Sequence, residues 1–387
     1  MKKFIYFCGM MLLSMNMLAQ QPAPRSTNSR DVGYCHYISK YLNLDFHTTI
    51  LPPTPGWIKI DTCSDEFNGT ELDANKWIIK DSTYHSGNDQ TAYLKNNVCV
   101  KNGHLFISLS YDPVGLTLNN LAYNYFTGKV VSKYRIHYGY LETKCYLPHN
   151  CRYRPGFWTH NRIDSQSQYD EIDVFEMHKD LDYGDRQLLQ NCYHNINYSD
   201  RSKCCQKLTF STPFIGQEST FGVEILPHEI VFYVNGHVTS HLRYDSDLSN
   251  DWNTFTCSDV DEMIPMDVRL EMMATVRDLP LGTFPLPYDS CSFDYFRCYK
   301  LSRGNVDTYH PTVFIPSVES TKVYPHVILG GTGCTAHIST STAVWAEQDI
   351  ILDKGFELSA GTSFSARVIS VPDPEHSPLY IQNISNE

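Results

Sequence analysis

The sequence predicts an all-β sandwich. From Trp57 onward, short apolar or alternating runs recur and are separated by Gly, Asn, Asp and Pro. Asn102-Gly103 and Asn235-Gly236 each lie between two such runs, and an Asn-Gly pair in that setting is a strong hairpin signal. No long amphipathic helix is evident, since Asp259 to Leu270 is interrupted by Pro265. Many short strands joined by turns are typical of a sandwich.

The first 20 residues are predicted to be a secretory signal peptide. Lys2 and Lys3 precede the apolar stretch from Phe4 to Met17, which is too short to span a bilayer. Residues 21–55 are proline-rich and are interpreted as a leader that lies over the domain or is partly disordered. No later segment is apolar enough to cross a membrane. We therefore expect an exported protein, whether periplasmic, cell-surface or extracellular.

The rest of the chain divides by composition. Residues 56–300 form the main β domain, which closes on the alternating run Ser292 to Tyr299. Residues 301–320 are linker-like, and residues 321–387 are predicted to be a small separate β module. No long-period repeat is visible.

Composition excludes one class of partner. The 387 residues carry a formal net charge of −12, with 19% charged and 13% aromatic residues, including 26 Tyr. Binding to nucleic acid needs clustered Lys and Arg, which are absent after Lys2 and Lys3. A tyrosine-rich, charge-poor composition suits a secreted protein that handles sugars, because aromatic rings stack on sugar rings, although it also suits any sandwich core.

Thirteen cysteines are present, and one of them lies in the signal segment. The even number that is left permits disulfides in an exported chain. The locally plausible pairs are Cys145 with Cys151, and Cys192 with either Cys204 or Cys205. Spacing alone does not determine the connectivity.

Three carboxylates lie within six residues, at Glu171, Asp173 and Glu176, interleaved with strand-forming apolar residues. Alternation along a strand puts Glu171 and Asp173 on one face. One extra residue, a β-bulge near Val174 and Phe175, would bring Glu176 to the same face, and bulges are common beside active sites.

Such a row of acids is suited to glycoside hydrolysis. Neighbouring carboxylates resist ionising together, so one holds its proton to a higher pH. A glycosidase needs one ionised carboxylate and one protonated carboxyl. On spacing alone, a solvated acidic strand edge or a calcium site fits as well.

The motif Glu171-x-Asp173-x-x-Glu176 resembles the active-site strand of glycoside hydrolase family 16, in the bulged form of its laminarinase-like and agarase-like members. The resemblance spans about residues 57 to 300. Flanking segments occur in the family's order: Asp65 to Gly69, Asn102-Gly103, Gly128 to Lys133, Tyr138 to Glu142, Pro155 to Trp158, Phe221 to Glu224, Phe232 to Gly236 and Phe293 to Tyr295.

Three positions depart from the family pattern. Arg154 replaces a Trp near the Pro-Gly-Phe-Trp stretch, Lys144 replaces an Arg, and the aromatic residue nearest the motif is Tyr169 rather than a Trp. These differences affect the expected sugar specificity more than the expected chemistry. The C-terminal module resembles, more weakly, short β modules that end secreted proteins of gut-type Bacteroidetes bacteria.

The resemblance implies a concanavalin-like β-jelly roll of two curved antiparallel sheets with a sugar-binding cleft. It implies Glu171 as nucleophile, Glu176 as general acid/base, and Asp173 as the residue that orients the nucleophile. The expected activity is retaining endo-hydrolysis of a β-linked glucan or galactan. We expect a monomer whose partner is a polysaccharide or glycan, and no catalytic cofactor.

The same resemblance suggests substrate contacts. Tyr169 is expected to form a stacking wall, or else to pack as a strand tyrosine. Trp158 either stacks on sugar or fills the core. His194 either contacts sugar or is structural, and Tyr93 is a cleft candidate by rough alignment.

A structural calcium ion is a further expectation. Glu66, Gly103 and Asp294 match the places at which many family members hold Ca²⁺ through oxygen ligands. Ordinary hairpin and strand-end hydrogen bonding is the alternative for these residues.

Two other functions are compatible with the pattern. A catalytically silent carbohydrate-binding protein could keep the fold, although a decayed site would more often have lost an acid. A transglycosylase would use the same two Glu residues, so only product analysis with an acceptor distinguishes it from a hydrolase.

Overall fold

The computed structural model describes seventeen stretches or single residues of the chain. They are 38–42, 57–84, 91–148, 153–162, 169–177, 185–197, 200–226, 229–243, 265–274, 290–301, 304, 306, 308–314, 322–339, 342–362, 364–368 and 379–380. Among these residues, no helix is both long and apolar enough to cross a membrane.

The described secondary structure consists of strands and one short 3₁₀ helix, Lys95–Asn97. In chain order the strands are β1 (Ile38–Leu42), β2 (Trp57–Lys59), β3 (Trp77–Ile79), β4 (Thr83–Tyr84), β5 (Thr91–Tyr93), β6 (Val98–Lys101), β7 (His104–Ser108), β8 (Ser110–Leu118), β9 (Leu121–Thr127), β10 (Lys129–Ile136), β11 (Gly139–Tyr146), β12 (Tyr153–Arg162), β13 (Tyr169–Glu176), β14 (Gln187–Asn197), β15 (Asp200–Phe210), β16 (Glu218–Leu226), β17 (Glu229–Val234), β18 (His237–Arg243), β19 (Met266–Ala274), β20 (Ser290–Leu301), β21 (Thr308–Tyr309), β22 (Val313–Phe314), β23 (Tyr324–Leu329), β24 (Thr335–Ile338), β25 (Thr342–Leu352), β26 (Phe356–Leu358), β27 (Phe364–Val368) and β28 (Leu379–Tyr380).

Two large sheets build the main domain, as predicted. The front sheet has the order β1-β15-β14-β13-β12-β19-β10-β28, with β3 also paired to β10. Its neighbouring strands run antiparallel except β1, which lies parallel to β15. The back sheet has the order β18-β17-β16-β11-β20-β7-β6. The all-β jelly-roll fold is therefore confirmed, with one parallel edge pair that the sequence did not predict.

The apolar faces of the two sheets meet in a single core. Ile172 and Phe175 of the front sheet and Phe221 and Phe232 of the back sheet belong to it, and all four are fully buried. The ring centroids of Phe175 and Phe221 are 4.1 Å apart. Burial of each such aromatic side chain stabilises the fold by about 2–3 kcal/mol. The core thus fixes which face of β13 points away from it.

A smaller sheet with the order β4-β5-β9-β8 joins the same unit. Strand β5 lies parallel to β9, with Tyr93 opposite Thr127. Since β10 follows directly after Thr127, this pairing brings β5 close to the start of β10.

The second unit contains described residues 57–59 and 299–368 and is built differently. Its strands form two sheets, β21-β23-β25-β27 and β22-β24-β26, and every pair in both is parallel. Val313 pairs with Thr335 and Thr342 with Phe364, each a step of 22 residues. Successive coils of the chain therefore stack as in a β-solenoid. The steps between paired residues range from 18, for Thr308 with His326, to 23, for Val327 with Ile350, so the coils have no fixed period that a sequence repeat would show.

Several predicted boundaries shift. Strands β21 and β22 fall within 301–320, so this segment is not only a linker. Strand β28 lies in the predicted C-terminal module but pairs with β10 of the front sheet. Strand β1, in the predicted leader, adds to β15. Backbone pairing of short segments to a distant sheet edge leaves little trace in composition.

The predicted disulfide pairs do not form. Cys145 and Cys192 are buried and form no disulfide. Cys192 points into the core because of its strand parity. Cys205 is disulfide-bonded.

Candidate active site

Strand β13 carries the predicted bulge. Against β12, Asp173 pairs with Trp158 and Phe175 pairs with Phe157, so Val174 has no opposite residue. The register against β14 shifts over the same stretch, between Asp173 and Glu176. One extra residue in a strand reverses the alternation beyond it.

The bulge sorts the side chains of β13 into two sets. Ile172, Val174 and Phe175 are all buried in the core between the sheets. Glu171 and Asp173 point away from that core by alternation, and Glu176 follows them because Val174 is inserted. The three predicted catalytic acids therefore lie on one face.

Each acid has a polar side chain from an adjacent strand as a neighbour. The side-chain amide of Asn191 donates to Asp173 Oδ2 at 2.7 Å. His160 Nε2 lies 3.8 Å from Glu171 Oε2. Arg154 Nη2 lies 3.7 Å from Glu176 Oε1.

The side-chain exposures of the acids differ. Glu171 and Glu176 keep 19% and 24% of their side-chain surface exposed. Asp173 lies between them with only 4% of its surface exposed. The two outer acids are therefore accessible to a bound molecule, whereas Asp173 is buried between them.

Burial and mutual repulsion shift the titration of the row. Burial first, and then the neighbouring Glu176, raise the pKa of Glu171 from 4.5 to about 8, against the opposing effect of Arg269 and Lys129. Burial, then Glu171 and Glu176, hold the pKa of Asp173 well above its ordinary value, and the Asn191 hydrogen bond lowers it in part. The row therefore does not carry three negative charges at neutral pH.

A second group of charged residues lies on β10 and β19, beside the acids. Lys129 Nζ is 2.9 Å from Glu271 Oε2, and both side chains are buried. Arg269 Nε is 2.6 Å from Asp267 Oδ1. Burial and Arg269 lower the pKa of Lys129, and Glu271 opposes this shift.

Trp158 lies against these cations. Lys129 Nζ is 4.2 Å from the centroid of its ring and the Arg269 guanidinium carbon is 4.6 Å from it. The residue is 9% exposed and is not part of the core between the sheets. Two cations therefore lie against its ring, an arrangement that differs from both alternatives suggested by the sequence. Sugar stacking on this ring stays a prediction.

The other predicted substrate contacts have mixed outcomes. Tyr93 is buried, and its hydroxyl donates to Glu271 Oε2 at 2.9 Å. Tyr169 and His194 lie on β13 and β14, but their side chains are outside the described part of the structure. Their roles in substrate binding stay predictions.

The predicted calcium ligands are already engaged with cationic side chains. Both carboxylate oxygens of Glu66 accept hydrogen bonds from Arg297, at 2.9 and 2.8 Å. Asp294 Oδ2 accepts from Lys144 at 3.1 Å. Gly103 lies in a turn with φ of +77°.

These contacts do not fit a divalent cation, because Arg297 and Lys144 would repel it. The described group of possible ligands that does converge on Asp294 contains His104 and Glu218 instead. Lys144 lies 2.7 Å from Glu218, so this group is also neutralised by a lysine. The calcium ion stays a prediction that the described contacts do not support.

Several site residues were missed from the sequence: Asn191, His160, Arg154, Lys129, Asp267, Arg269 and Glu271. A signal for the last three was present. Asp267, Arg269 and Glu271 alternate with apolar residues from Met266 onward, which is a strand pattern that was obscured by treating Asp259 to Leu270 as an interrupted helix. The other four needed knowledge of which strands are neighbours.

Comparison with known proteins identifies the family. The family model of the GH16 domain of β-porphyranases A–D matches residues 57–258, more than half of the 387-residue chain. The chain belongs to glycoside hydrolase family 16. Family 16 consists of O-glycosyl hydrolases, and the matched residues include all three acids of β13.

Individual relatives agree with this assignment. The family 16 enzyme is 30% identical over 129 residues to β-porphyranase B of Zobellia galactanivorans, an alignment that covers 32% of this chain and 43% of that protein. The alignment thus spans less than half the length of this curated relative.

Solved structures show the same fold. The crystal structure of porphyranase B from Zobellia galactanivorans has a TM-score of 0.52 at 22% identity and covers 63% of this chain and 93% of that one. The catalytic domain of an endo-1,3-β-glucanase from Thermotoga petrophila has a TM-score of 0.51 at 21% identity and covers 64% and 99%. At these identities the likeness concerns the fold alone.

Proposed function

We propose that this family 16 protein is an exported, retaining endo-β-galactanase that cleaves a porphyran- or agar-like polysaccharide by double displacement. Glu171 is the nucleophile, Glu176 the general acid/base, and Asp173 orients Glu171. The observation that carries the proposal is the bulge at Val174, which places two exposed carboxyls and one buried carboxyl on the same face of β13.

The proposed steps use only these side chains. Glu171 attacks the anomeric carbon while Glu176 protonates the leaving glycosidic oxygen. A water molecule that is deprotonated by Glu176 then releases the sugar from Glu171, so the anomeric configuration is retained. The raised pKa of Asp173 supports a neutral Asp173 at working pH, which removes one of three competing charges.

Preference for a galactan over a glucan rests on the comparisons. The matching family model describes porphyranases, and the curated relative at 30% identity is named a porphyranase. The laminarinase likeness is one of fold. Export rests on the sequence pattern of residues 1–20.

The proposal is tested by incubating the purified protein with porphyran, agarose, laminarin, lichenan and mucin, and by sizing the products. We expect oligosaccharides from a galactan, with early products of β-anomeric configuration by proton NMR. Glu171→Gln and Glu176→Gln should each lose at least about 10³-fold in kcat with an unchanged melting temperature at low pH.

Three outcomes would overturn parts of the proposal. Cleavage of laminarin alone would replace the galactan by a glucan. Turnover close to wild type in either Glu variant would reject the catalytic assignment. Longer products in the presence of an added acceptor sugar would indicate a transglycosylase.

A further inference from the structure

The cleft contains an ion pair that the reaction steps above do not use. Lys129 and Glu271 face each other across β10 and β19, 2.9 Å apart, with 8% and 2% of their side chains exposed. Tyr93 donates to the same oxygen of Glu271 that Lys129 contacts. A buried ion pair is often no more stabilising than apolar residues of the same size. Stabilisation of the fold therefore does not by itself explain why a charged pair occupies this position.

Strand register relates this pair to the acids. Trp158 lies opposite Asp173 on one side and opposite Arg269 on the other. Its ring contacts both Lys129 and Arg269, at 4.2 and 4.6 Å. Cations over an indole ring are attracted to it, most strongly when they are desolvated. Trp158, on the strand next to β13, therefore holds two positive charges that come from β19 and β10, two and three strands away from the acidic row.

Each cation is also held by its own carboxylate. Glu271 fixes Lys129, and Asp267 fixes Arg269 through a contact of 2.6 Å. The described part of the structure shows no hydrogen bond from either cation to Glu171, so both act on it through space.

We propose that Lys129 and Arg269, held in place by Glu271, Asp267 and the ring of Trp158, are positioning residues that favour the ionised form of the Glu171 carboxylate. The inference rests on the proposed function, since it assigns these residues to the proposed nucleophile. Tyr93, through Glu271, completes the support.

The charges around Glu171 are consistent with this role. The groups that face it from the surrounding strands are Asp173 and Glu176 on β13, His160 on β12, Tyr193 on β14, Asp267, Arg269 and Glu271 on β19, and Lys129 on β10. Burial, Glu176 and Glu271 raise the pKa of Glu171, whereas Arg269 and Lys129 lower it. Removing either cation therefore leaves less positive charge near Glu171, and the ionised form of Glu171 becomes less favourable.

The test is the pH profile of kcat/KM on the polysaccharide that the wild type cleaves. Its acid limb reports ionisation of the nucleophile in the free enzyme. Lys129→Met should move this limb to higher pH by about one unit, the effect of removing one nearby positive charge at intermediate dielectric. The rate at a pH below the limb then falls by about tenfold, while the plateau changes little.

Matched variants separate charge from packing. Lys129→Arg keeps the charge and should restore the limb, and Arg269→Met should move it in the same direction as Lys129→Met. Lys144→Met removes a lysine from a carboxylate pair on the back sheet and should leave the limb unchanged. Since Lys129→Met leaves Glu271 buried without its cation, Lys129→Met/Glu271→Leu provides a variant that retains no orphan charge.

A readout without substrate keeps the two proposals distinguishable. The difference in melting temperature between a variant and its Glu171→Gln derivative, followed with pH, reports the titration of Glu171 through linkage. We expect this difference to begin near the ordinary pKa of glutamate in both proteins, and to keep growing to higher pH in Lys129→Met. A uniform loss of rate with an unmoved limb and an unmoved linkage curve would overturn the inference. Absence of cleavage by the wild type on any β-glycan would overturn the proposed function and leave the linkage result valid.

Discussion

Asn191 donates its side-chain amide to Asp173 at 2.7 Å, across the same register pair that precedes the bulge. This bond fixes the buried middle acid of the row, which has 4% of its surface exposed. Asp173 in turn lies between the two outer acids along β13. The side-chain amide of Asn191 on β14 therefore holds Asp173 in position, the acid that orients Glu171 in the proposed mechanism.

Replacing Asn191 tests that dependence. In Asn191→Leu, Asp173 loses a donor that lowers its pKa, so its proton is held more tightly and its orientation is no longer fixed. We expect kcat to fall by about 10–100-fold with a smaller change in KM, since second-layer hydrogen bonds commonly contribute about 1–3 kcal/mol. Gln187→Leu is the control, because Gln187 lies on the same strand, β14, but donates to Thr209 of β15 at 2.9 Å. A comparable loss of kcat in the control would assign the effect to general destabilisation.

The raised pKa of Glu171 predicts how stability depends on pH. Its folded value of about 8 lies above 4.5, so the folded state binds the proton more tightly than the unfolded state between these pH values. The wild type therefore loses stability as pH rises through this window, and has its full stability at its lower end. Glu171→Gln removes this loss, and should be more stable than wild type by about 4 kcal/mol at pH 8 and equal to it near pH 4. Denaturant unfolding at a series of pH values measures the difference, and a constant difference across the series would contradict the assigned shift.

The inserted residue of the bulge can be removed. Deleting Val174 restores strict alternation, and Phe175 then stays in the core while Glu176 stays on the face of Glu171 and Asp173. We expect the variant to keep the fold and part of its activity, with kcat lower by about 10–100-fold because the position of Glu176 along the strand changes by one residue. Val174→Ala keeps the register and only leaves a cavity, at a cost of about 1–2 kcal/mol with kcat retained. A deletion variant as inactive as Glu176→Gln would show that the position of Glu176 depends on the bulge itself.

Close packing in the back sheet provides a stability prediction. A Cβ added to Gly222 would lie 2.6 Å from Tyr140 Oη and 2.9 Å from its ring. Gly222→Ala should therefore destabilise the protein by about 1–3 kcal/mol through overpacking. In a double-mutant cycle, Tyr140→Phe should recover part of this loss, because it removes the nearest atom, although by itself it costs the hydrogen bond to Glu142 at 2.6 Å. If the effects of the two substitutions simply add, the strand that carries Gly222 has shifted and the Tyr140 ring has not.

The sequence was sufficient for the motif and for the face on which the acids lie. Glu171, Asp173 and Glu176 are close in the chain, and their separation by strand-forming residues restricts them to one strand, so a local rule of alternation and one bulge describes them. Hairpin signals at Asn102 and Asn235 were equally local. These features follow from backbone geometry within a few residues, which short-range chemistry governs.

Only the tertiary structure placed Lys129, Trp158, Arg269 and Glu271 beside the acids. They come from three strands whose order in the front sheet, β12-β19-β10, differs from their order in the chain. The same reason explains the unpredicted pairings of β1 and β28, and the parallel coils of the C-terminal unit. Which strands become neighbours is decided by burial of the whole apolar surface and not by any local pattern, so the charges that tune Glu171 were visible as residue types in the sequence but not as a site.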